Sequence, residues 1–287
     1  MKQTRAIVMA FHKYTPFGDE FYEPILDFQL RTLEKYKNEF DWVYILDSTW
    51  NIEQGLTRLN QSGIKMEGED SLVRKIEFIK VDPSLRYYDA YKQVLPQIQE
   101  DLVLFMDNDM VVYKEGVIGK TFDTLQEKAC DGLPIFDVAS ITDTIGTMKV
   151  DLKTGNKFCP YWFASRKELL MKYLDVDWSP DSMPYTETFG LLTEAMLKDG
   201  LRAYEMKDDK TEATFVNGEI KTEKNLGYYH IRAGSTPAYL LATKHYGDKK
   251  TYDDYLKNQP KSEILRHCDW YKYMGGTPQE ILEDLNA

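Results

Sequence analysis

Two acidic residues stand one position apart directly after an apolar stretch of the chain. Asp107 and Asp109 flank Asn108, and residues 102–106 before them read LVLFM. Two carboxylates this close repel each other and resist burial unless a cation neutralises them. Mg²⁺ and Mn²⁺ prefer oxygen ligands of this kind, commonly together with waters and substrate phosphates. The pair is therefore a candidate site for a divalent metal; the alternative is a strand that ends in a solvated polar turn.

Strand and helix patterns alternate along the first half of the chain. This alternation predicts an α/β fold with a mostly parallel sheet and helices on its faces. Ligands of such sheets bind at the carboxyl ends of the strands, where Asp47 and Asp107 are both expected. The first helix should bury one apolar stripe. The predicted strands lie in 5–11, 41–47, 71–82 and 101–107, the predicted helices in 22–40 and 87–100, and the stripe holds Ile25, Phe28, Leu30, Leu33 and Tyr36.

The second half of the chain is less regular but continues the same kinds of element. Strands are predicted at 136–142 and 157–165, and a helix at 186–200. Ser165 and Glu168 have the spacing of a capping box, which would start a further helix. Because no repeat, low-complexity tract or Gly/Ser linker divides the chain, a single domain is expected.

The composition narrows the classes of function. The chain has 43% hydrophobic residues, as globular proteins do, and a net charge of −11. This acidic balance, without any run rich in Lys and Arg, disfavours nucleic acid as a ligand or acceptor. The three cysteines include no C-x-x-C pair, which argues against a disulfide framework and a zinc site. No window approaches the ~18 apolar residues of a membrane span, so a soluble, cytoplasmic protein is expected.

The order of these features resembles that of the GT-A glycosyltransferases, which carry a D-x-D at the end of a central strand after a nucleotide-binding half. The resemblance covers residues 5–235. It implies a Rossmann-type three-layer sandwich in which Asp107 and Asp109 hold Mn²⁺ or Mg²⁺ against the diphosphate of a nucleotide-sugar. The implied division is a GT-A domain at 1–240, with a nucleotide-binding half at 1–113 and an acceptor half at 114–240, and a helical extension at 241–287.

The same resemblance implies a set of contacts with the nucleotide of the sugar donor. A UDP-sugar is the favoured donor. The loop after the first strand and the acid that ends the second occupy the places where the family holds base and ribose. A basic residue before the D-x-D commonly meets the nucleotide, and a late arginine would pair with phosphate oxygens. The implied nucleotide contacts are Phe11, His12, Asp47, Arg86, Asp107, Asn108 and Arg232.

Residues 183–206 resemble the family's acid-bearing helix and the strand after it. In inverting members this acid contacts the acceptor and is the general base, which takes the proton of the attacking hydroxyl. Glu187 is the best match, although the usual Glu-Asp pair reads Glu187-Thr188 and its spacing to Gly200 is slightly long. Glu194, seven residues later on the same helical face, is a further acid of this segment or, alternatively, a solvated helix acid.

A histidine and a tryptophan complete the implied site. Several GT-A families place a metal-ligating histidine late in the chain, and His230 stands at that place. Neutral imidazole is a suitable third ligand beside two carboxylates. Trp162 lies where the family builds its acceptor pocket, and an indole stacks well on an apolar sugar face. Trp162 and its neighbours Tyr161 and Phe163 are alternatively core residues.

The expected function is the metal-dependent transfer of a sugar from a nucleotide-diphosphate sugar to a hydroxyl acceptor. A haloacid-dehalogenase-type phosphohydrolase also runs a strand into D-x-D, with the first acid, here Asp107, as nucleophile. That motif normally follows the first strand, however, whereas roughly a hundred residues precede it here. Nucleotidyltransferases share the sheet but need a Gly-rich first loop, which is absent. A non-catalytic sugar-nucleotide binder stays open, as do the sugar, the acceptor and inversion versus retention.

Overall fold

Helices and strands follow the predicted alternation. The computed structural model describes residues 3–11, 22–47, 71–82, 85, 87–108, 110–112, 114–144, 156–178, 189–206, 214–216, 219–221 and 228–230. The strands are β1 (Arg5–Phe11), β2 (Trp42–Asp47), β3 (Ile76–Lys80), β4 (Leu102–Met106), β5 (Met110–Val112), β6 (Val138–Thr144), β7 (Asn156–Arg166), β8 (Ala203–Met206), β9 (Thr214–Val216), β10 (Glu219–Lys221) and β11 (Tyr228–His230). The helices are α1 (Tyr22–Lys35), α2 (Tyr87–Val94), α3 (Val117–Gln126), α4 (Lys167–Leu170) and α5 (Gly190–Lys198).

Within the described residues, seven strands form one sheet in the order β3-β2-β1-β4-β7-β6-β8. Strands β3, β2, β1 and β4 run parallel to one another, and β6 runs parallel to β8. Only β7 is antiparallel to its neighbours in this sheet, β4 and β6. Two short antiparallel pairs, β9 with β10 and β5 with β11, form separate ladders. The prediction of a mostly parallel α/β sheet is confirmed.

Helices cover both faces of the sheet. Successive residues of a strand point to opposite faces, so Met9 of β1 joins one core cluster and Val8 joins the other. Helices α1 and α3 pack on the Met9 face, for example through Leu30 and Phe122. Helices α2 and α5 pack on the Val8 face, where Tyr91 is fully buried. Burial on both faces explains the unbroken apolar runs of β1 and β4, and the predicted three-layer arrangement is confirmed.

The buried stripe of α1 contains a polar residue. Leu30 and Leu33 are buried as predicted, and the stripe also takes in Leu26 and Gln29 at helical spacing. An amide in the middle of an apolar stripe must find hydrogen-bond partners inside the protein. The side chains of two predicted members of the stripe, Ile25 and Phe28, lie outside the described residues.

The capping box predicted at Ser165 and Glu168 is wrong. Strand β7 continues to Arg166, which is the N-cap of α4 and makes no side-chain capping bond. The hydroxyl of Ser165 donates instead to the carbonyl oxygen of Asp137, at 2.8 Å. Ser165 is still paired with the neighbouring strands at this position, so its side chain is committed to the sheet before the helix begins.

The expected helical extension at 241–287 lies outside the described residues. Of the helices that the structure does describe, none combines the length and the apolar character needed to cross a bilayer.

A carboxylate from the loop between α1 and β2 fixes the start of α3. The backbone N–H groups of Gly116 and Gly119 donate to the two carboxylate oxygens of Glu39, at 2.7 and 2.8 Å. The first N–H groups of a helix have no intrahelical partner, and the helix dipole favours a negative charge there. Gly116 has φ of +87°, a conformation that glycine adopts without strain. Glu39 therefore anchors the helix that follows β5.

Replacing this carboxylate is expected to destabilise the fold. Glu39→Ala leaves the N-terminal N–H groups of α3 without their acceptor and should lower the free energy of unfolding by about 1–2 kcal/mol. Urea denaturation would show this as a lower midpoint with an unchanged slope. The control is Glu115→Ala, which removes the same charge from an exposed neighbouring position and should change stability by less than about 0.5 kcal/mol. Equal losses in the two variants would contradict the capping role.

Candidate functional site

The carboxyl ends of β1, β2 and β4 meet at one edge of the sheet, as predicted. Phe11 is paired with Asp47 across β1 and β2, so the last residues of these strands lie side by side. The backbone of Asp47 also accepts a bond from Val81 N, at 3.0 Å. Asp47 is only 3% exposed, and Phe11 is fully buried in the core. The side chain of Phe11 therefore lies in the core, whereas the carboxylate of Asp47 lies at the strand end.

The D-N-D sequence forms a turn at the end of β4. Met110 N donates to the carbonyl oxygen of Asp107 at 3.2 Å, which closes a four-residue turn over 107–110. Asp107 N donates to the carbonyl oxygen of Tyr161 at 3.1 Å, so that β7 continues alongside the start of the turn. Asp107 is half-buried, and its Oδ2 lies 3.5 Å from the hydroxyl of Tyr88 on α2.

Asn108 ties this turn to β1. Its Nδ2 donates to the carbonyl oxygen of Ala10 at 3.3 Å, and the residue is almost fully buried. Burial and the bond to Ala10 give this side-chain amide a tethering role, and the nucleotide contact expected for Asn108 stays a prediction.

Gln29, which no sequence motif singled out, holds the other side of the turn. Gln29 is fully buried, and its Nε2 donates to the carbonyl oxygens of Asn108 and Met110, at 2.8 and 2.6 Å. These two carbonyls lie on either side of residue 109. The available signal was a glutamine at the centre of an apolar helical stripe, where burial of an amide calls for a specific partner.

The late histidine is brought to the turn by the short ladder between β5 and β11. His230 is paired with Met110, the residue that follows Asp109. The backbone of His230 therefore lies beside the D-N-D turn even though the two are far apart in the sequence. Its side chain lies outside the described residues.

The start of α5 is held by an aromatic cluster. Phe189, the N-cap of α5, has φ of +64° and is fully buried. Its ring packs against Phe163 and Tyr88, with centroids 5.1 and 5.3 Å apart, and its N–H donates to Trp178. A non-glycine residue with positive φ persists only where the surroundings impose it. This packing fixes the point at which the chain leaves the segment that carries Glu187.

Glu194, which lies within α5, has a structural partner. Glu194 forms an ion pair with Lys198 one turn later, at 2.6 Å. This is the arrangement of an i,i+4 pair on a helix surface, in agreement with the interpretation of Glu194 as a solvated helix acid.

Several expected site residues lie outside the described residues: His12, Arg86, Asp109, Glu187 and Arg232. Within the described residues, no group of three or more His, Cys, Asp or Glu side chains is placed to hold a metal ion. Of the three expected ligands, Asp107 alone has a described side chain.

The acceptor role expected for Trp162 is corrected by the structure. Trp162 is fully buried, and its Nε1 donates to Thr121 Oγ1 at 3.2 Å. Its neighbours Tyr161 and Phe163 are buried as well. An indole enclosed by the core has no face to offer to a sugar, so the core alternative describes all three residues.

Trp162→Phe should therefore change stability and leave ligand binding alone. The smaller ring leaves a cavity and removes the N–H that donates to the Thr121 hydroxyl, which should lower the free energy of unfolding by roughly 1–3 kcal/mol. Chemical denaturation measures this loss. A several-fold rise in the KM for an acceptor, without loss of stability, would restore the acceptor role.

Comparison with known proteins places the fold. No protein-family model matches the chain, and no curated protein matches it significantly. Among solved structures, the apo-form glycosyltransferase GlyE of Streptococcus pneumoniae TIGR4 matches with a TM-score of 0.50 at 13% identity. The match covers 98% of this chain but 62% of GlyE, so this chain spans less than two thirds of that protein.

Two further structures are similar at lower scores. The 4-diphosphocytidyl-2C-methyl-D-erythritol synthase of Anaerococcus prevotii DSM 20548 matches 78% of this chain and 93% of its own, with 14% identity and a TM-score of 0.46. The mannosyltransferase PcManGT of Pyrobaculum calidifontis, solved with GDP-Man and Mn²⁺, matches 100% of this chain and 74% of its own, with 10% identity and a TM-score of 0.46. At these identities the likeness concerns the fold. The chain has a GT-A-like α/β fold.

Proposed function

We propose that the protein is a metal-dependent glycosyltransferase that moves a sugar from a nucleotide-diphosphate sugar to a hydroxyl acceptor. The observation that carries this proposal is the D-N-D turn at the carboxyl end of β4. Hydrogen bonds from α1, β1 and β7 hold it, and β11 pairs with the strand that follows it. A solvated polar turn needs no such support, whereas a site that must present carboxylates in one geometry does.

The residues proposed to hold Mn²⁺ or Mg²⁺ are Asp107, Asp109 and His230. Carboxylate and imidazole groups are suitable ligands for these ions. Asp107 is a half-buried carboxylate at the strand end, and the backbone of His230 lies opposite Met110. When bound, a divalent cation would offset the negative charge that develops on the departing nucleoside diphosphate. The chain's part is to keep the acids at a fixed position on the edge of the sheet.

The nucleotide is proposed to lie across the ends of β1 and β2. Asp47, the last residue of β2, is the proposed acceptor of a hydrogen bond from a ribose hydroxyl or a base N–H. His12, Arg86 and Arg232 are the further proposed contacts, the arginines with phosphate oxygens. UDP is the favoured nucleotide.

The acceptor is proposed to approach from the side of α5. If the reaction inverts the anomeric centre, Glu187 takes the proton of the acceptor hydroxyl as its oxygen attacks. If the reaction retains the configuration, no base is needed there. The buried Phe189, two positions later, fixes the chain just after this acid.

Nucleotide binding that depends on a metal tests the proposal directly. UDP, GDP and CMP are each added with and without Mn²⁺, and the melting temperature is measured. At least one nucleotide should stabilise the protein, and only when Mn²⁺ is present, since a ligand at 100 times its Kd adds about 2.7 kcal/mol. Asp107→Asn should abolish the metal-dependent part.

The matched control for this measurement is Asp101→Asn, the same substitution at the opposite end of β4. Asp101 accepts a bond from Thr4 N at 2.9 Å, away from the D-N-D turn, so the variant should keep the metal-dependent shift. Failure of every nucleotide to stabilise the wild type would contradict the proposal. An acid-stable phosphate adduct that Asp107→Asn loses would favour the phosphohydrolase alternative.

The role of Glu187 is tested by the turnover of a donor that the protein binds. If the reaction inverts the anomeric centre, Glu187→Gln should lower kcat for transfer to a hydroxyl acceptor by about 10²–10⁴-fold, with a nearly unchanged KM for the donor, because a general base acts only in the chemical step. Glu194→Gln, the same substitution in the nearby helix α5, is the control and should stay close to wild type. A similar loss in both variants would mean that the helix is disturbed and that Glu187 has no special role.

A further inference from the structure

We propose that Gln29 is a positioning residue for the D-N-D turn: its side-chain amide clamps the backbone on both sides of residue 109 and so sets the affinity for the metal and the nucleotide diphosphate. The consequence for binding rests on the proposed function. The clamp itself rests on geometry alone.

The amide of Gln29 has two N–H groups, and its nitrogen lies within bonding distance of two carbonyls. Nε2 is 2.8 Å from the carbonyl oxygen of Asn108 and 2.6 Å from that of Met110. The first carbonyl belongs to the peptide that leads into residue 109, and the second follows it by two peptides. A rotation of either peptide plane would break one of these bonds. The chain before and after residue 109 is thus held from α1.

Two of the other tethers act at the start of the turn, and the pairing of Met110 with His230 acts after it. Asp107 is bonded through its backbone N–H to Tyr161, and Asn108 through its side chain to Ala10. Neither bond reaches beyond residue 108. Gln29 spans the gap, because its two acceptors bracket residue 109.

The choice of residue at this position supports a role in the site. Position 29 lies in the buried stripe of α1 between Leu26 and Leu33, where an apolar side chain would pack well. The Oε1 atom of Gln29 is buried and has no hydrogen-bond partner among the described residues, and burial of an unsatisfied polar atom is unfavourable. Burial of Oε1 without a partner among these residues lowers stability, and the bonds of Nε2 to the turn give a reason for keeping glutamine at this position.

Gln29→Met tests the clamp, since methionine has a similar length but no donor. Hydrogen exchange should show the backbone amides of 108–112 exchanging at least about 10-fold faster than in the wild type, because the loosened turn opens locally. With Mn²⁺, the Kd for the nucleotide that the wild type binds best among UDP, GDP and CMP should rise about 10–100-fold, as for other residues that orient metal ligands.

The matched control is Ser165→Ala. Ser165 is also fully buried and also donates to a backbone carbonyl, but it lies toward the amino end of β4, where it pairs with Val103. It should lose stability without faster exchange at 108–112 and without a change in Kd. Should Gln29→Met fail to fold, Gln29→Asn carries the same test. The asparagine side chain is shorter by one carbon–carbon bond of about 1.5 Å, so its amide nitrogen cannot reach both carbonyl oxygens.

The outcomes separate this inference from the proposed function. Wild-type exchange rates at 108–112 in the Gln29 variants would overturn the clamp. Faster exchange with an unchanged Kd in Mn²⁺ would overturn its role in binding. A wild type that binds no nucleotide with Mn²⁺ would instead contradict the proposed function, and the exchange measurement would still decide whether the clamp exists.

Discussion

The hydrogen bonds that hold the backbone between Asp107 and Met110 are the constraint on which the candidate site depends. Two acids at the end of a buried strand repel each other, and their backbone would relax away from the core without fixed partners. The protein provides those partners from elements that are distant in sequence: Gln29 on α1, Ala10 on β1 and Tyr161 on β7. The turn is therefore a product of the whole sheet and its helices.

The strand order explains why these partners are at hand. Because β4 lies between β1 and β7, its end is flanked by the carboxyl end of a parallel strand and by an antiparallel strand that continues past it. The parallel neighbour, β1, pairs in turn with β2, whose last residue is Asp47. The ladder between β5 and β11 then returns the late part of the chain to the same place, with His230 opposite Met110.

Periodicity and composition predicted what depends on local sequence, and they missed what depends on long-range contacts. The bounds of β1 and the strand-end positions of Asp47 and Asp107 followed from apolar runs and the rule for parallel sheets. The buried state of Trp162 and the clamp by Gln29 depend on partners on other elements, and no local pattern shows them. The Ser165 capping box failed for the same reason, because pairing within the sheet outweighed a local capping preference.

The central claim is that Asp107 belongs to a divalent-metal site that binds a nucleotide diphosphate. Crystals grown with Mn²⁺ and UDP, measured at the manganese absorption edge, test it most directly. The account predicts an anomalous peak within coordination distance of an Asp107 carboxylate oxygen, beside the diphosphate and near the ends of β4 and β11. Bound UDP with its diphosphate and the manganese away from Asp107 would contradict it.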